Sequence, residues 1–171
     1  MARWGSVLRQ AAGTGLRLLS RAARERPRPA PRRGAAPAQS RVRTVPAQDR
    51  VRRIVYAPDL DGAADPGEIV WAWVPFEEND GRGKDRPLLV VGRQGRELVG
   101  LMLSSRRDRA DDPDWMDVGS GDWDREGRPS SVRLDRVIEV DEHDIRREGA
   151  VLDRARFDRV ADVLRTRYGW R

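Results

Sequence analysis

The sequence has no cysteine and a single histidine among its 171 residues. Without cysteine the chain cannot form a disulfide, offer a thiol nucleophile or build a cysteine-rich zinc site, and one histidine is too few for a dedicated transition-metal centre. Metal-free chemistry, or chemistry with a metal bound through oxygen ligands, remains, and of these we expect a protein without a cofactor.

Long apolar runs are missing as well. Short stretches such as Leu101-Met102-Leu103 fall far below the roughly 18 to 20 residues that a membrane-spanning helix needs. Near the N-terminus, Arg9 and Arg17 interrupt every apolar stretch that could form the core of a secretory signal. These absences predict a soluble, cytoplasmic protein with no membrane partner.

Positive charge is concentrated in the N-terminal part of the chain. Residues 1–53 hold 14 arginines and two acidic residues, a net charge of +12, whereas residues 54–171 hold 20 basic and 26 acidic residues, a net charge of −6. The stretch 26–50 has few apolar residues, too few to offset the entropy lost on ordering. We predict a disordered extension rich in Arg, Pro and Ala over 1–50 and one folded domain over 51–171 that does not need it.

The folded domain begins with strand patterns. Residues 68–76 are rich in β-branched and aromatic side chains, and 86–92 is a continuous apolar stretch typical of a buried strand. We predict that they pair antiparallel across a charged loop at 77–85. A turn at 93–96 then predicts a hairpin with a third strand over 97–105, and a further strand is predicted over 130–140.

The last element is predicted to be a helix that begins after Asp153. Its apolar residues recur at helical spacing, and they are Phe157, Val160, Ala161, Leu164 and Tyr168. Several strands followed by one helix predict a small, mostly β barrel with a C-terminal helix packed against it.

Four segments together resemble the MazF/PemK family of toxin ribonucleases over about residues 66–170. The segments are Gly67-Glu68-Ile69-Val70-Trp71, Arg86-Pro87-Leu88-Leu89-Val90-Val91, a strand that ends in Leu103-Ser104, and Leu134-Asp135-Arg136-Val137-Ile138. The resemblance implies an SH3-like barrel and a homodimer that cleaves single-stranded RNA without a metal, using the RNA's own 2′-hydroxyl. It also implies a cognate antitoxin protein as partner.

The resemblance and the chemistry point to two catalytic residues. Attack of a 2′-hydroxyl on the adjacent phosphate builds negative charge on oxygen, and the planar guanidinium of Arg86 can stabilise that charge with two hydrogen bonds. An arginine is a poor base near neutral pH, so the general base stays unassigned. The family usually has Thr where this chain has Ser104 followed by Ser105. We predict Ser104 as the catalytic hydroxyl, with the register open by one residue.

Basic residues around these positions are predicted to bind RNA. Arg82 and Lys84 lie in the loop before Arg86, and Ser105, Arg106 and Arg107 follow Ser104. Each residue also has a plainer interpretation. Arg86 can form a surface ion pair with Asp85, and the basic run that starts at Arg106 can be a solvated strand edge.

The aromatic residues and the histidine have alternatives of the same kind. Trp71 and Trp73 share a strand face and are predicted to lie in the core or in a dimer interface. Trp115 and Trp123 lie in polar surroundings and are candidates for stacking on bases. His143 is flanked by acidic residues, which favours a surface turn over a general base.

The function that these observations favour is a toxin endoribonuclease of a toxin–antitoxin pair. Its partners would be single-stranded RNA, a cognate antitoxin and a second copy of the chain. The alternatives are a catalytically inactive regulatory relative and a non-nuclease toxin of the same barrel fold, such as a CcdB-like inhibitor of DNA gyrase. An RNA cut that depends on Arg86 distinguishes the ribonuclease from both.

Overall fold

The computed structural model describes residues 42–50, 52–59, 61–76, 80–109 and 111–171. Residues 1–41 of the predicted extension lie outside the described residues. The prediction that 42–50 is disordered is wrong, because this segment contains strand β1, Arg43–Pro46, and a short 3₁₀ helix, Ala47–Arg50. The folded part of the chain therefore begins before the predicted boundary.

Contacts with distant parts of the chain order this segment. Ala47 is fully buried; its N–H donates to the Asp135 carbonyl oxygen at 2.8 Å, and its own carbonyl oxygen accepts from Trp170 Nε1 at 3.0 Å. Arg50 forms an ion pair with the buried Glu139. Composition did not indicate these contacts, since their partners lie about 90 to 120 residues away along the chain.

The described residues form an antiparallel sheet of eight strands and one α-helix. The strands after β1 are β2 Glu68–Pro75, β3 Gly83–Gln94, β4 Glu97–Ser104, β5 Trp115–Gly119, β6 Ser130–Arg133, β7 Arg136–Asp141 and β8 Ile145–Val151. Helix α1 spans Arg154–Tyr168, and 3₁₀ helices span Arg107–Arg109 and Glu142–Asp144. The predicted mostly β domain with one C-terminal helix is confirmed.

The main path of the sheet runs β1-β7-β4-β3-β2-β8. Strand β6 pairs with the end of β4, and β5 pairs with β6. The predicted strand over 130–140 is two strands, β6 and β7. The break occurs at Leu134-Asp135, because these residues make backbone hydrogen bonds to Asp114 and to Ala47 instead of continuing the ladder.

The sheet is buried on both faces at its centre. In β3, Leu89 and Val91 pack in the core cluster that includes α1, whereas Leu88 and Val90 pack in a second cluster on the opposite face. Strands that are covered on both faces have continuous apolar sequences. This double burial explains why 86–92 has no polar alternation.

Helix α1 begins and ends at the residues that its sequence indicates. Asp153 is the N-cap, and its side chain accepts from the Arg156 N–H at 3.1 Å. Gly169 ends the helix with φ of 74°, the left-handed conformation that glycine adopts without a steric penalty. No helix in the described ranges is both long and apolar enough to cross a membrane.

Candidate functional site

A cavity of about 460 Å³ opens on the face of the sheet opposite α1. Its apolar wall includes Val74, Met102 and Ile138, which belong to or pack against the second core cluster. Six arginines line it, and no acidic side chain does so among the described residues; they are Arg82, Arg86, Arg106, Arg109, Arg133 and Arg136. The lining is therefore strongly positive around an apolar floor.

Strand alternation directs Arg86 into this cavity. Arg86 lies opposite Ala72 in the β2–β3 pair, on the face shared with Leu88, whereas Asp85 lies opposite Trp73 on the other face. Asp85 pairs instead with Arg146 at 2.5 Å. The alternative of an Arg86–Asp85 surface ion pair is therefore wrong. Within the described residues, the Arg86 guanidinium has no hydrogen-bond or ion-pair partner.

The surroundings of Arg86 make its positive charge costly. Burial is the largest effect that lowers the pKa of Arg86, and the nearby charges of Arg109 and Arg106 lower it further. An anion bound in the cavity would raise the pKa of Arg86 again. It would attract the buried guanidinium and offset the repulsion from Arg109 and Arg106. The cavity is thus suited to a group with negative charge, such as a phosphate.

Ser104 lies in the same cavity as Arg86, and Ser105 does not. Met102 and Ser104 point to the cavity face of β4, and Ser104 is the last residue of that strand. The backbone N–H of Arg106 donates to Ser104 Oγ at 3.4 Å, a long and weak hydrogen bond. The Ser104 hydroxyl can therefore turn toward a ligand at little cost.

Carboxylates outside the cavity lining orient several of its arginines. Arg82 pairs with Asp80 at 2.6 Å, Arg106 with Asp108 at 2.6 Å and Arg133 with Asp135 at 2.7 Å. Asp135 also lies 3.5 Å from Arg136. These acidic residues reduce the net charge of the domain while leaving the cavity lining free of carboxylates.

Trp115 supports the arginine cluster. The guanidinium carbons of Arg109 and Arg133 lie 4.6 Å and 5.9 Å from its ring centroid, within cation–π range. Its exposed fraction is 8%, so its ring is not an open platform for a base. Trp123 is also buried and donates from Nε1 to Ser130 Oγ at 3.2 Å. The hypothesis that these two residues are exposed stacking platforms is therefore wrong.

A second cavity of about 510 Å³ adjoins the first. It shares Arg106, Arg109 and Trp115 with the first cavity and is otherwise lined by residues that include Ser105 and Arg107. Arg107 is exposed and, among the described residues, has no acidic partner. The basic run after Ser104 therefore joins two adjacent cavities.

Most of the predicted site residues come together in this region. Arg82, Arg86, Ser104 and Arg106 line the first cavity, while Ser105, Arg106 and Arg107 line the second. Lys84 is exposed on β3 and lines neither cavity, so the structure does not bring it into the site.

The polar lining residues that were absent from the sequence-based site include Thr44, Arg133 and Arg136. Thr44 lies in the segment that was predicted to be disordered, and Arg133 and Arg136 flank the break between β6 and β7. Nothing in the sequence indicated that β1 pairs with β7. For Arg133 and Arg136, the available signal in the sequence was their positive charge on either side of Leu134-Asp135.

The remaining polar and aromatic candidates lie elsewhere. His143 is exposed in a 3₁₀ turn, as predicted, and its N–H donates to Asp141. Trp73 is 47% exposed on the face of β2 that is opposite the cavity, so it is not a core residue. Across the described ranges, no group of three or more His, Asp or Glu side chains is placed to hold a metal ion.

Comparison with known protein families identifies a match. The family model that describes a PemK-like, MazF-like toxin of type II toxin–antitoxin system matches residues 65–167, more than half of the chain. No curated protein matches the sequence. The matched region contains Arg86, Ser104 and all but the last residue of α1. The chain therefore belongs to the PemK/MazF-like toxin family of type II toxin–antitoxin systems.

Proposed function

We propose that this toxin is an endoribonuclease that cleaves single-stranded RNA by attack of a 2′-hydroxyl on the adjacent phosphate. The observation that carries the proposal is the half-buried, unpaired guanidinium of Arg86, which shares an arginine-lined cavity with the hydroxyl of Ser104. Phosphoryl transfer gains most from fixed positive charge and hydrogen-bond donors, and this cavity provides both.

In the proposed mechanism, the 2′-oxygen forms a bond to phosphorus as it loses its proton. The bond from phosphorus to the 5′-oxygen of the next nucleotide breaks, and that oxygen takes up a proton to leave as a 5′-hydroxyl. Arg86 donates two hydrogen bonds to the phosphate oxygens, on which negative charge increases in the transition state. Ser104 donates a further hydrogen bond to the phosphate. The products are a 2′,3′-cyclic phosphate and a 5′-hydroxyl end.

The RNA strand is proposed to extend from the first cavity into the second. Arg82 and Arg106 would contact the backbone at the reacting phosphate, and Ser105 and Arg107 would contact the neighbouring nucleotide. Lys84 would act at longer range, since it is exposed on β3 outside both cavities. Each phosphate contact of this kind makes binding weaker as the salt concentration rises.

A type II toxin is paired with a cognate antitoxin. We propose that the antitoxin blocks cleavage by placing carboxylates against the cavity arginines, where they would replace the RNA phosphates. We also propose that the toxin is a homodimer. Of the described residues, Trp73 is the largest exposed apolar side chain, and its burial would contribute to such an interface.

The proposal is tested by incubating the purified protein with single-stranded RNA in EDTA and identifying the product ends. We expect cleavage to continue without divalent metal and to leave a 2′,3′-cyclic phosphate. RNA with 2′-deoxyribose at the cut site should resist cleavage, since it lacks the nucleophile. Cleavage that requires Mg²⁺ or leaves a 5′-phosphate would overturn the mechanism.

Variants of Arg86 test the role of its guanidinium. Arg86→Ala should lower the cleavage rate by at least about 100- to 1,000-fold, the scale seen when one donor to a developing oxyanion is removed. Arg86→Lys should recover little, because an ammonium cannot form the two parallel hydrogen bonds. Arg159→Ala is the matched control, since Arg159 is exposed on α1, away from both cavities. If the wild type cuts no RNA and the Arg86→Ala variant is still toxic, the protein is instead a non-nuclease toxin, such as a gyrase inhibitor.

A further inference from the structure

Strand β1 contributes to the cavity from outside the region that defines the family. The family match begins at residue 65, whereas β1 spans Arg43–Pro46. Thr44 from this strand nevertheless lines the same cavity as Arg86 and Ser104. This wall of the site is therefore a feature of this chain that lies beyond the matched family domain.

The pairing of β1 with β7 determines which side chains face the cavity. Thr44 lies opposite Ile138, and Pro46 lies opposite Arg136. Ile138 and Arg136 both line the cavity, so Thr44 shares their face of the sheet. Val45 packs against the core cluster on the other face, which places Arg43 on that side of the strand as well.

Both ends of β1 are anchored. Val42 is buried in the second core cluster before the strand, and Ala47 is buried in the first cluster after it. The ion pair between Arg50 and Glu139 fixes the following turn to β7. Thr44 thus has an exposed side chain on a short strand that is held at both ends. A side chain on such a rigid strand is suited to selective recognition.

We propose that the Thr44 hydroxyl hydrogen-bonds the RNA nucleotide that occupies the cavity and so helps to select the sequence that is cut. The inference rests on the proposed ribonuclease function. The cavity arginines are suited to phosphates, which carry no sequence information, whereas a neutral hydroxyl can donate to or accept from a base edge. Among the described lining residues, Thr44 and Ser104 supply the two hydroxyl groups, and Ser104 is assigned to the reacting phosphate.

The test compares cut-site preferences of the full-length wild type and Thr44→Val on a pool of single-stranded RNAs of randomised sequence. Valine keeps the shape and strand preference of threonine and removes the hydroxyl. We expect the preferred sites to lose roughly tenfold in relative cleavage rate, because the loss of one hydrogen bond to the substrate has about this effect. Disfavoured sites should change little, so the ranking of sites should flatten. Thr44→Ser should restore the wild-type ranking.

Arg43→Ala is the matched control, because Arg43 lies on the same strand with its side chain on the other face. It should leave the ranking unchanged. A uniform loss of rate in Thr44→Val, with the same ranking of sites, would overturn the inference and indicate a purely structural role for β1. If the wild type cuts none of the RNAs, the ribonuclease proposal itself fails, and the two failures are thereby distinguished.

Discussion

Arg86 combines burial, positive charge and the absence of an acidic partner among the described residues. Burying an unpaired charge is normally destabilising, and proteins avoid it unless the charge has a partner. The neighbouring Arg106 and Arg109 increase the cost, since they lower the pKa of Arg86 rather than raise it. An arrangement that weakens the free protein and is relieved by an anion is typical of a binding site.

Ser104 allows a prediction at the scale of one hydroxyl group. Ser104→Ala should lower RNA cleavage by about 10- to 1,000-fold, because one donor to the reacting phosphate is lost. The melting temperature should change little, since the hydroxyl makes a single weak hydrogen bond within the protein. Initial cleavage rates and thermal melting curves measure the two effects.

Ser105→Ala is the paired control for this prediction. Ser105 lines the second cavity and not the first, so its loss should affect RNA affinity more than the catalytic rate. If Ser105→Ala abolishes cleavage and Ser104→Ala does not, the assignment of the catalytic hydroxyl to the end of β4 is off by one residue.

The residues that sequence predicted for the site are those whose position follows from local strand alternation. Arg86 lies in the first third of β3 and Ser104 is the last residue of β4, and these two strands are adjacent in both sequence and space. Thr44 and Arg133 could not be predicted in this way, because their place in the cavity depends on pairings between distant segments. Such pairings are set by the packing of the whole sheet, which no local pattern encodes.

At the scale of elements, strong apolar patterns were sufficient to predict a helix or strand, and weak patterns were not. Helix α1 and strands β2 to β4 have many buried apolar residues and clear ends. Strand β5 was missed because its sequence, Trp-Met-Asp-Val-Gly, contains an acidic residue and a terminal glycine. It is a strand because β6 provides a ladder partner, with Trp115 opposite Arg133. Tertiary pairing thus overrides a weak local preference.

The turn between β7 and β8 depends on one carboxylate. Asp141 accepts from the His143 N–H at 2.9 Å and from Arg96 Nη2 at 3.0 Å. The hydrogen bond from His143 is the largest effect, followed by that from Arg96, and together they hold the pKa of Asp141 below its usual range. A carboxylate with a lowered pKa stabilises the fold above its unfolded pKa of about 3.9 and loses that contribution as the pH falls through its folded pKa.

The lowered pKa of Asp141 predicts how the stability of an Asp141 variant depends on pH. Asp141→Ala should melt at a lower temperature than the wild type at pH 7, and the difference should shrink as the pH is lowered from about 5 toward 2. Asp141→Asn keeps the acceptor oxygen without the charge, so it should lose less stability at pH 7. Melting curves across this pH range provide the measurement. A difference that stays constant over the range would exclude the proposed role of the Asp141 charge.

At the scale of the whole molecule, the segments that flank the family match meet each other. Ile54 N–H donates to the Arg171 carbonyl oxygen at 2.6 Å, and Arg171 N–H donates to the Arg52 carbonyl oxygen at 3.0 Å. Trp170 is buried and bonds to Ala47. The flanking segments therefore extend the matched domain as one unit with its core, and they position β1 beside the cavity.

Two truncations separate the predicted extension from this folded segment. Removing residues 1–41 leaves every contact described above in place, so the protein should keep cooperative melting. Removing residues 1–50 deletes β1 and leaves the buried Glu139 and Trp170 Nε1 without their partners. The loss should be on the order of several kcal/mol, a large part of the total stability of about 5 to 15 kcal/mol.

Thermal and denaturant melting of both truncated proteins provides the measurement. The sequence alone favoured a boundary at residue 50, whereas the contacts of β1 move it to about residue 42. If the protein that begins at residue 51 melts like the wild type, β1 contributes nothing to stability.

The hydrogen bond between Trp170 and Ala47 has a consequence for how the toxin is made. The two residues are 123 positions apart, so a ribosome that adds about 5 to 20 residues per second synthesises Trp170 on the order of ten seconds after Ala47. In the later part of that interval, once Ser104 has been added, the nascent chain has Arg86 and Ser104 but lacks the residue that anchors Ala47. We therefore expect the cavity wall that carries Thr44 to be completed last, when translation of the domain has ended.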